Sequence, residues 1–467
     1  MPEKTQMSEA LLHDATISPR DDRRFRGKAM RSAVPYKDHA GWKIATDRPD
    51  PLELLQKFNK GRVEDLIPIR WGRMAASPFT FYRGSAALMA YDLAQSPTIK
   101  VQVQACGDCH LFNFGAFATP ERNIVFDIND FDETLPAPWE WDLKRLAVSF
   151  VLAARDNGIK PKYQTAAAEA VVRSYREKTD EYAHMSLLDI WYSRIDWTKV
   201  IEQTSDPNLQ KERKDRLKQA MKRTTQDHYF PKLTEQIDGQ FSIKDSPPLI
   251  YHWRDKSFLD QFHKAIPAYR DSLQEDKRRL FARYKLADVA VKVVGIGSVG
   301  TLCGVALFLA PDNEPLLLQI KEASESVLEP YAGKSEFANH GHRVIAGQRI
   351  AQSASDIFLG WTQFDSGKNF YIRQLRDTKV KPEVELWEGP EMVSGAEFMG
   401  AVLARAHARS GDSTVISGYL GHSDEFDRAI ADFAMSYADQ TEKDHAALVA
   451  AIRSGRIQAT AETDGDT

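Results

Sequence analysis

One short stretch of the sequence, residues 106–131, concentrates side chains that can bind a metal ion and move a proton. Asp108 and Asn113 lie in an irregular, glycine-containing run, and Asp127 and Asp130 follow an apolar segment later in the stretch. The Pro-Glu-Arg-Asn turn between the two parts predicts that the carboxylates fold back toward the first loop. Carboxylate and amide oxygens are hard ligands of the kind that Mg²⁺ takes. Asp108 can also accept a proton.

A second group of candidate residues lies later in the chain, where glycines interrupt strand-like segments. Gly295, Gly297 and Gly300 have a spacing that also serves dinucleotide-binding folds, but those folds need a helix directly after the glycines. Here the segment 302–309 has a strand-like pattern, and a tight turn leads into another strand that contains Lys321. A glycine loop between antiparallel strands, with a lysine on the third strand, covers the ATP phosphates in kinase-like proteins. We therefore predict that Lys321 binds phosphate.

The first stretch resembles a known catalytic loop. Gly107-Asp108-x-His110-x-x-Asn113 is similar to the His-Gly-Asp-x-His-x-x-Asn pattern of the aminoglycoside phosphotransferase and choline kinase branch of the protein-kinase-like fold, with Cys106 in place of the first His. Asp142 resembles the Asp of the Asp-Leu-Ala that begins the following helix in that branch. The resemblance implies that Asp108 is the catalytic base and that His110 positions it.

The same resemblance assigns the cofactors. It implies that ATP binds with Mg²⁺ held by Asn113 and Asp130, and that Lys321 and the loop of Gly295, Gly297, Ser298 and Gly300 hold the phosphates. Asp130 is preferred to Asp127 because it precedes Asp142 by the interval of the resembling enzymes and is followed by Phe. Asp127 is left as a second ligand or a turn residue.

The chain as a whole resembles a bacterial family named only as a domain of unknown function, DUF2252. The motifs that carry this resemblance are YRGSAALM, GDCHLFNFG, NDFDETLPAPWEWDLKRLA, GQRIAQSASDIFLGW and LARAHARSGD. The name implies no activity.

The order of the two motifs is reversed relative to ordinary kinase-like proteins, in which the glycine loop and lysine precede the catalytic loop. We therefore predict an α+β, two-lobed protein-kinase-like fold that is circularly permuted, which surface termini tolerate. The predicted parts are an N-terminal arm (1–50), the first part of a large helical lobe (51–288), a small β lobe with the glycine loop (289–378), and the second part of the helical lobe with an acidic tail (379–467).

Several further residues have open roles in the sequence. The lysine of kinase-like folds pairs with a glutamate on the next helix, and the sequence does not choose among Glu325, Glu329 and Glu336. Three arginines near an aromatic patch either bind phosphate or pair with carboxylates at the edge of the core: Arg70, Arg73 and Arg83.

A second set of residues is interpreted as structural. The helix near residue 407 carries His407, which we expect to be structural, and two arginines, Arg405 and Arg409, which we expect at the surface. Cys106 and Cys109 lack a second cysteine pair, so a redox or zinc function is not favoured.

Composition limits the function classes. With 467 residues, 42% of them hydrophobic and 27% charged, the chain can bury a large core. A net charge of -4 gives no general attraction to nucleic acid or an anionic membrane. The chain has no apolar run long enough to span a bilayer and no apolar core at its N-terminus, so we expect a cytoplasmic protein.

The sequence thus predicts ATP- and Mg²⁺-dependent phosphoryl transfer to a small-molecule hydroxyl. Three alternatives stay open at this point: AMP transfer to a protein substrate, a nucleotide-binding pseudokinase or scaffold without turnover, and a metal-dependent hydrolase that needs no ATP.

Overall fold

The structure is a computed structural model that describes residues 18–203, 207–222, 228–253, 257–293, 295–375 and 379–460. The first 17 residues of the predicted arm and the predicted acidic tail after Thr460 lie outside the described residues. Among the described residues, no helix is both long and apolar enough to cross a lipid bilayer.

Helices form most of the chain, both before and after the segment that builds the large sheet. The helices before the sheet are α1 (Arg20–Ala33), α2 (Pro51–Lys57), α3 (Ile67–Ala75), α4 (Pro78–Gly84), α5 (Ala86–Ala94), α6 (Trp139–Asp156), α7 (Pro161–His184), α8 (Leu187–Tyr192), α9 (Trp197–Glu202), α10 (Pro207–Lys222) and α11 (Phe230–Leu233). Those within and after it are α12 (Ser257–Ser272), α13 (Glu275–Phe281), α14 (Glu329–Ala332), α15 (His340–Ala351), α16 (Gly389–Ala408), α17 (Ser413–Leu420) and α18 (Glu425–Arg453).

Short antiparallel strand pairs frame residues 106–131, the predicted catalytic stretch. They are β1 (Gln102–Ala105) with β4 (Leu135–Pro138), and β2 (Phe114–Ala118) with β3 (Ile124–Ile128). The β2–β3 hairpin returns the chain to the loop that precedes it, as the turn between them predicted. A further hairpin, β5 (Thr234–Ile237) with β6 (Gln240–Ile243), lies beside the large sheet.

The large sheet has six antiparallel strands, in the order β11-β12-β10-β9-β8-β7. They are β7 (Ile250–Tyr251), β8 (Lys285–Lys292), β9 (Cys303–Leu309), β10 (Pro315–Ala323), β11 (Gly360–Gln363) and β12 (Asn369–Gln374). The predicted succession of strand, glycine turn, strand and lysine-bearing strand is confirmed, although β8 begins at Lys285 and not near Val289. The segment 51–288, predicted as part of a large helical lobe, also contains strands, because β5 to β8 begin within it.

Separate apolar clusters support the helices and the sheet. The larger cluster joins α6, α7, α16 and α18 and contains the buried aromatics Trp139, Tyr175 and Phe426. A second cluster packs α12 on one face of the large sheet, where Phe262 and Tyr269 contact strand residues. The catalytic stretch therefore belongs to the helical core, and the glycine loop belongs to the sheet.

Helix α1 lies on α17 and so anchors the described part of the predicted arm. A Cβ at Gly27 would lie 2.0 Å from the Val415 carbonyl oxygen, so only a glycine permits this approach of the two helices. Arg23 forms an ion pair of 2.9 Å with Asp412 at the start of α17.

Candidate active site

Side chains of helix α6 accept hydrogen bonds from the backbone of the loop between β1 and β2. Asp142, in the first turn of α6, accepts hydrogen bonds from the backbone N–H groups of Cys106 (2.7 Å) and Gly107 (3.0 Å). Ser149, two turns further along, accepts one from Leu111 N (3.1 Å). One face of α6 therefore fixes the backbone of the whole loop, because residues three to four apart share a helix face.

Gly107 is required for this loop conformation. Its φ is +80°, a region that favours glycine, and a Cβ there would lie 2.4 Å from the carbonyl oxygen of Glu133. The predicted catalytic loop (residues 107–113) and the acidic loop that follows β3 can therefore touch.

Asp108 presents one engaged oxygen and one available oxygen. Arg145 of α6 donates to Asp108 Oδ1 from Nε (2.7 Å) and Nη2 (2.5 Å). Asp108 Oδ2 lies 3.7 Å from His110 Nε2. Burial raises the pKa of Asp108, and the Arg145 charge partly opposes that rise. A carboxylate with a raised pKa and a free oxygen is suited to accept a proton.

The rest of the loop orients Asn113. The Asn113 side-chain N–H donates to the Asp108 carbonyl oxygen at 2.7 Å, so the Asn113 amide oxygen is left for another partner. His110 is buried, and burial together with the charges of Arg83 and Arg145 lowers its pKa well below the usual value. A neutral His110 fits the predicted positioning role better than that of a base.

The acidic loop of residues 130–134 is clamped by the segment after β10. Arg343 of α15 donates to the carbonyl oxygens of Thr134 (2.6 Å) and Asp132 (2.8 Å). Ser326 Oγ donates to the Glu133 carbonyl oxygen (2.7 Å), and Val327 N donates to the Glu133 carboxylate (2.8 Å). The loop is thus tied to both the helical core and the sheet.

Lys321 reaches this acidic loop from the C-terminal half of β10. Lys321 Nζ donates to Asp132 Oδ2 at 2.6 Å and lies 3.7 Å from Asp130 Oδ2. Tyr371, directly opposite Lys321 on β12 and hence on the same face of the sheet, donates to Asp132 Oδ1 at 2.6 Å. Ser298 of the glycine loop donates to Asp132 Oδ2 at 3.1 Å. The two motifs therefore meet in one cleft.

Charge balance keeps the lysine ionised in spite of its burial. Burial alone would lower the pKa of Lys321, but the carboxylates of Asp130 and Asp132 raise it well above the ordinary value. Burial would likewise raise the pKa of Asp132, but the Lys321 charge and the hydrogen bonds from Lys321 and Tyr371 lower it to about 2. Both groups are charged at neutral pH.

Asp130 and Asn113 carry side-chain oxygens of the kind that suit a hard divalent cation. The Asp130 side chain is 34% exposed, and its Oδ1 accepts a weak hydrogen bond from Asp132 N (3.2 Å). The hydrogen bond from Asn129 N to the Asn113 carbonyl (2.7 Å) joins the two segments that carry these residues. An accessible carboxylate and an amide oxygen fit Mg²⁺ chemically.

The glycine loop packs on the helices before the catalytic loop. Gly295 and Gly300, in the loop between β8 and β9, have φ of +69° and +88°, a region that favours glycine. The Gly300 carbonyl accepts from Val63 N at 2.7 Å, and Arg73 donates to the Gly295 carbonyl. A Cβ at Gly297 would lie 3.5 Å from the Arg83 carbonyl oxygen. The loop thus bridges the sheet and the helical core.

Asp127 does not belong to this cleft, which corrects its prediction as a metal ligand. Its side chain is 0% exposed and forms an ion pair of 2.6 Å with Arg405. Ser353 donates to the other Asp127 oxygen from N (2.9 Å) and Oγ (3.0 Å). Both oxygens are therefore occupied in the interior. Arg405 is also fully buried, so its predicted surface position is wrong.

In the described part of the chain, none of the three candidate glutamates forms an ion pair with Lys321. Glu329 instead accepts from Ser326 N (3.2 Å), whereas Glu325 and Glu336 are exposed. The ion-pair partners of Lys321 in the described part of the chain are Asp130 and Asp132.

Sequence reasoning missed residues whose roles depend on pairing. Asp132 lies two residues after Asp130, so the alternation Asp-x-Asp was a visible signal. Arg145 lies three residues after Asp142, so a shared helix face could have predicted its contact with the loop. Tyr371 had no signal, because its position opposite Lys321 follows only from strand register. His407 lies behind the catalytic loop, 3.3 Å from Asp142 Oδ2, which agrees with a structural role.

Comparison with known families gives one match. The family model described as "Uncharacterized protein conserved in bacteria (DUF2252)" matches residues 62–451, which include every site residue described above. Comparisons with curated proteins and with solved structures give no match.

Proposed function

The chain belongs to the DUF2252 family, and from the geometry of its cleft we propose that it is an ATP- and Mg²⁺-dependent phosphotransferase acting on a small-molecule hydroxyl. The proposed fold is a circularly permuted kinase-like one, with the large sheet as the small lobe. The observation that carries the proposal is the convergence of Lys321, Ser298 and the Asp130–Asp132 loop, which the chain order alone keeps far apart.

Each residue has a role that its contacts support. Lys321 and the glycine loop are the cationic and hydrogen-bonding groups for the phosphates, while Asp130 and the Asn113 amide oxygen would hold Mg²⁺. When bound, Mg²⁺ neutralises phosphate charge and orients the phosphoryl group. Asp108 Oδ2, which is free of Arg145, accepts the acceptor's proton.

In the proposed reaction, the acceptor oxygen forms a bond to the γ-phosphorus of ATP as the bond from that phosphorus to the β,γ-bridging oxygen breaks. The acceptor's hydroxyl proton passes to Asp108 and from there to solvent. The products are the phosphorylated acceptor and ADP.

Product analysis tests this proposal. The wild-type protein is incubated with Mg²⁺, ATP and a panel of hydroxyl-bearing small molecules, and mass spectrometry follows both the molecules and the protein. We expect ADP and a phosphorylated small molecule, with Asp108→Asn as the inactive control. AMP attached to protein would assign the alternative adenylyl transfer, whereas ATP binding without any product would assign a pseudokinase.

A further inference from the structure

The three arginines that the sequence leaves open have different surroundings in the structure. Arg70 is buried and donates to the Gly84 carbonyl at 2.7 Å, and Arg73 donates to the Gly295 carbonyl. Arg83 Nε is buried without a hydrogen-bond partner among the described residues, as are Arg70 Nε and Nη1. The two differ in place, because the Arg70 guanidinium lies over Trp71 of its own helix and the Arg83 guanidinium lies over Phe112, beside Asn113.

Arg83 lies between the catalytic loop and the glycine loop. Its guanidinium carbon is 4.8 Å from the centre of the Phe112 ring, and Phe112 directly precedes Asn113. The preceding residue, Tyr82, accepts through its carbonyl from Arg145 Nη2 at 3.0 Å, and the same Nη2 contacts Asp108. On the other side, the Arg83 carbonyl approaches Gly297 closely.

The electrostatics of this position favour an anion. Burial lowers the pKa of Arg83, and the charges of Asp108 and Glu385 oppose this only in part. Asp108 directs one oxygen to Arg145, and no ion pair joins Asp108 to Arg83 in the described part of the chain. A buried guanidinium N–H without a partner is costly, and a phosphoryl group supplies oxygens that suit a guanidinium.

We propose that Arg83 is a further catalytic residue, which binds the oxygens of the phosphoryl group during its transfer. This inference rests on the proposed function, because the phosphoryl group must lie between the glycine loop and Asp108. Lys321 would then hold the phosphates nearest the nucleoside, and Arg83 would hold the group that moves. Arg83 therefore acts on the transition state more strongly than on bound ADP.

The test compares binding of Mg²⁺·ADP with binding of Mg²⁺·ADP and tetrafluoroaluminate, which mimics the phosphoryl group in transfer. The variants are Arg83→Gln and the charge-conserving Arg83→Lys, with Arg279→Ala as a control at an exposed arginine of α13. We expect Arg83→Gln to bind Mg²⁺·ADP as the wild type does but to lose about 10- to 100-fold of the gain from tetrafluoroaluminate. Arg83→Lys should recover part of that gain.

Two outcomes would overturn the assignment and are separable from failure of the proposed function. A full tetrafluoroaluminate gain in Arg83→Gln would remove Arg83 from the transfer site. An equal loss of Mg²⁺·ADP affinity with and without tetrafluoroaluminate, in a variant that melts at the wild-type temperature, would make Arg83 a loop-positioning residue. If the wild type itself does not bind Mg²⁺·ADP, the proposed function fails and the assignment fails with it.

Discussion

Lys321 Nζ lies 2.6 Å from Asp132 Oδ2, although 189 residues separate the two in the chain. The pair joins the centre of the large sheet to the loop that follows β3, so it fixes the relation between the glycine loop and the catalytic loop. The charged atoms of Lys321 and Asp130 are 3.7 Å apart, which is well within about 10 Å, the span of a phosphate chain with its metal.

Removing the lysine tests its phosphate role. We expect Lys321→Ala to weaken binding of Mg²⁺·ATP by about 1.5–3 kcal/mol, because a charge-assisted hydrogen bond to phosphate is lost. The matched control is Lys368→Ala. Lys368 pairs with Glu322, the neighbour of Lys321 on β10, at 2.6 Å. Isothermal titration calorimetry measures both, and equal affinities for the two variants would exclude Lys321 from the nucleotide site.

Substitution by asparagine should change Mg²⁺ dependence at Asp130 and stability at Asp127. Asp130→Asn should weaken the Mg²⁺ dependence of nucleotide binding and leave the melting temperature near that of the wild type, because an accessible ligand loses its charge. Asp127→Asn should instead lower the free energy of unfolding by about 3 kcal/mol, because Arg405 is left buried without its carboxylate. A Mg²⁺ titration and urea unfolding of each variant measure these effects. A destabilised Asp130→Asn with normal Mg²⁺ dependence would contradict the metal assignment.

Asp132 holds both Lys321 and Ser298, which are the groups proposed to bind phosphate. Its carboxylate is thus an internal anion that ATP must displace from them. Asp132→Asn should therefore tighten ATP binding, by about 10-fold if the displaced interaction is worth ~1.4 kcal/mol. Weaker binding in this variant would show that Asp132 is a metal ligand in its own right.

Gly107 permits the contact between the catalytic and acidic loops, and alanine should break it. Gly107→Ala and the control Gly158→Ala both place a side chain at positive φ, which costs roughly 1–2 kcal/mol. Only at Gly107 does the new Cβ also meet a backbone oxygen, since Gly158 has open space around it. Urea unfolding should show an additional loss of about 1–3 kcal/mol for Gly107→Ala. Equal losses would mean that the two loops separate freely.

Local patterns made the glycine loop and the lysine strand predictable. Neighbouring antiparallel strands with short turns leave a strong signal in sequence, so Gly295, Gly300 and Lys321 were assigned to the correct elements. The strands before residue 289 were missed because β5 to β7 are short and lie within a segment rich in helix formers.

Contacts between residues far apart in the chain determine the roles of Asp127 and the partner of Lys321, which the sequence alone did not predict. The choice of Asp130 over Asp127 as an accessible carboxylate depends on Arg405, 278 residues from Asp127, which takes Asp127 into the core. The lysine's partner was expected on the next helix, α14, but Arg343 of the following helix, α15, holds the acidic loop so that its aspartates reach Lys321 instead. Such choices follow from packing, which no single-sequence pattern encodes.

A crystal structure of the wild-type protein with Mg²⁺ and a non-hydrolysable ATP analogue tests the central claim most directly. We expect the phosphates to lie between Lys321 and the glycine loop, with the metal ion on Asp130 and Asn113 and the terminal phosphate toward Asp108. The α-phosphate toward Asp108 would indicate adenylyl transfer from the same cleft. A nucleotide whose phosphates lie away from Lys321, or a cleft that stays empty at saturating nucleotide, would contradict the account.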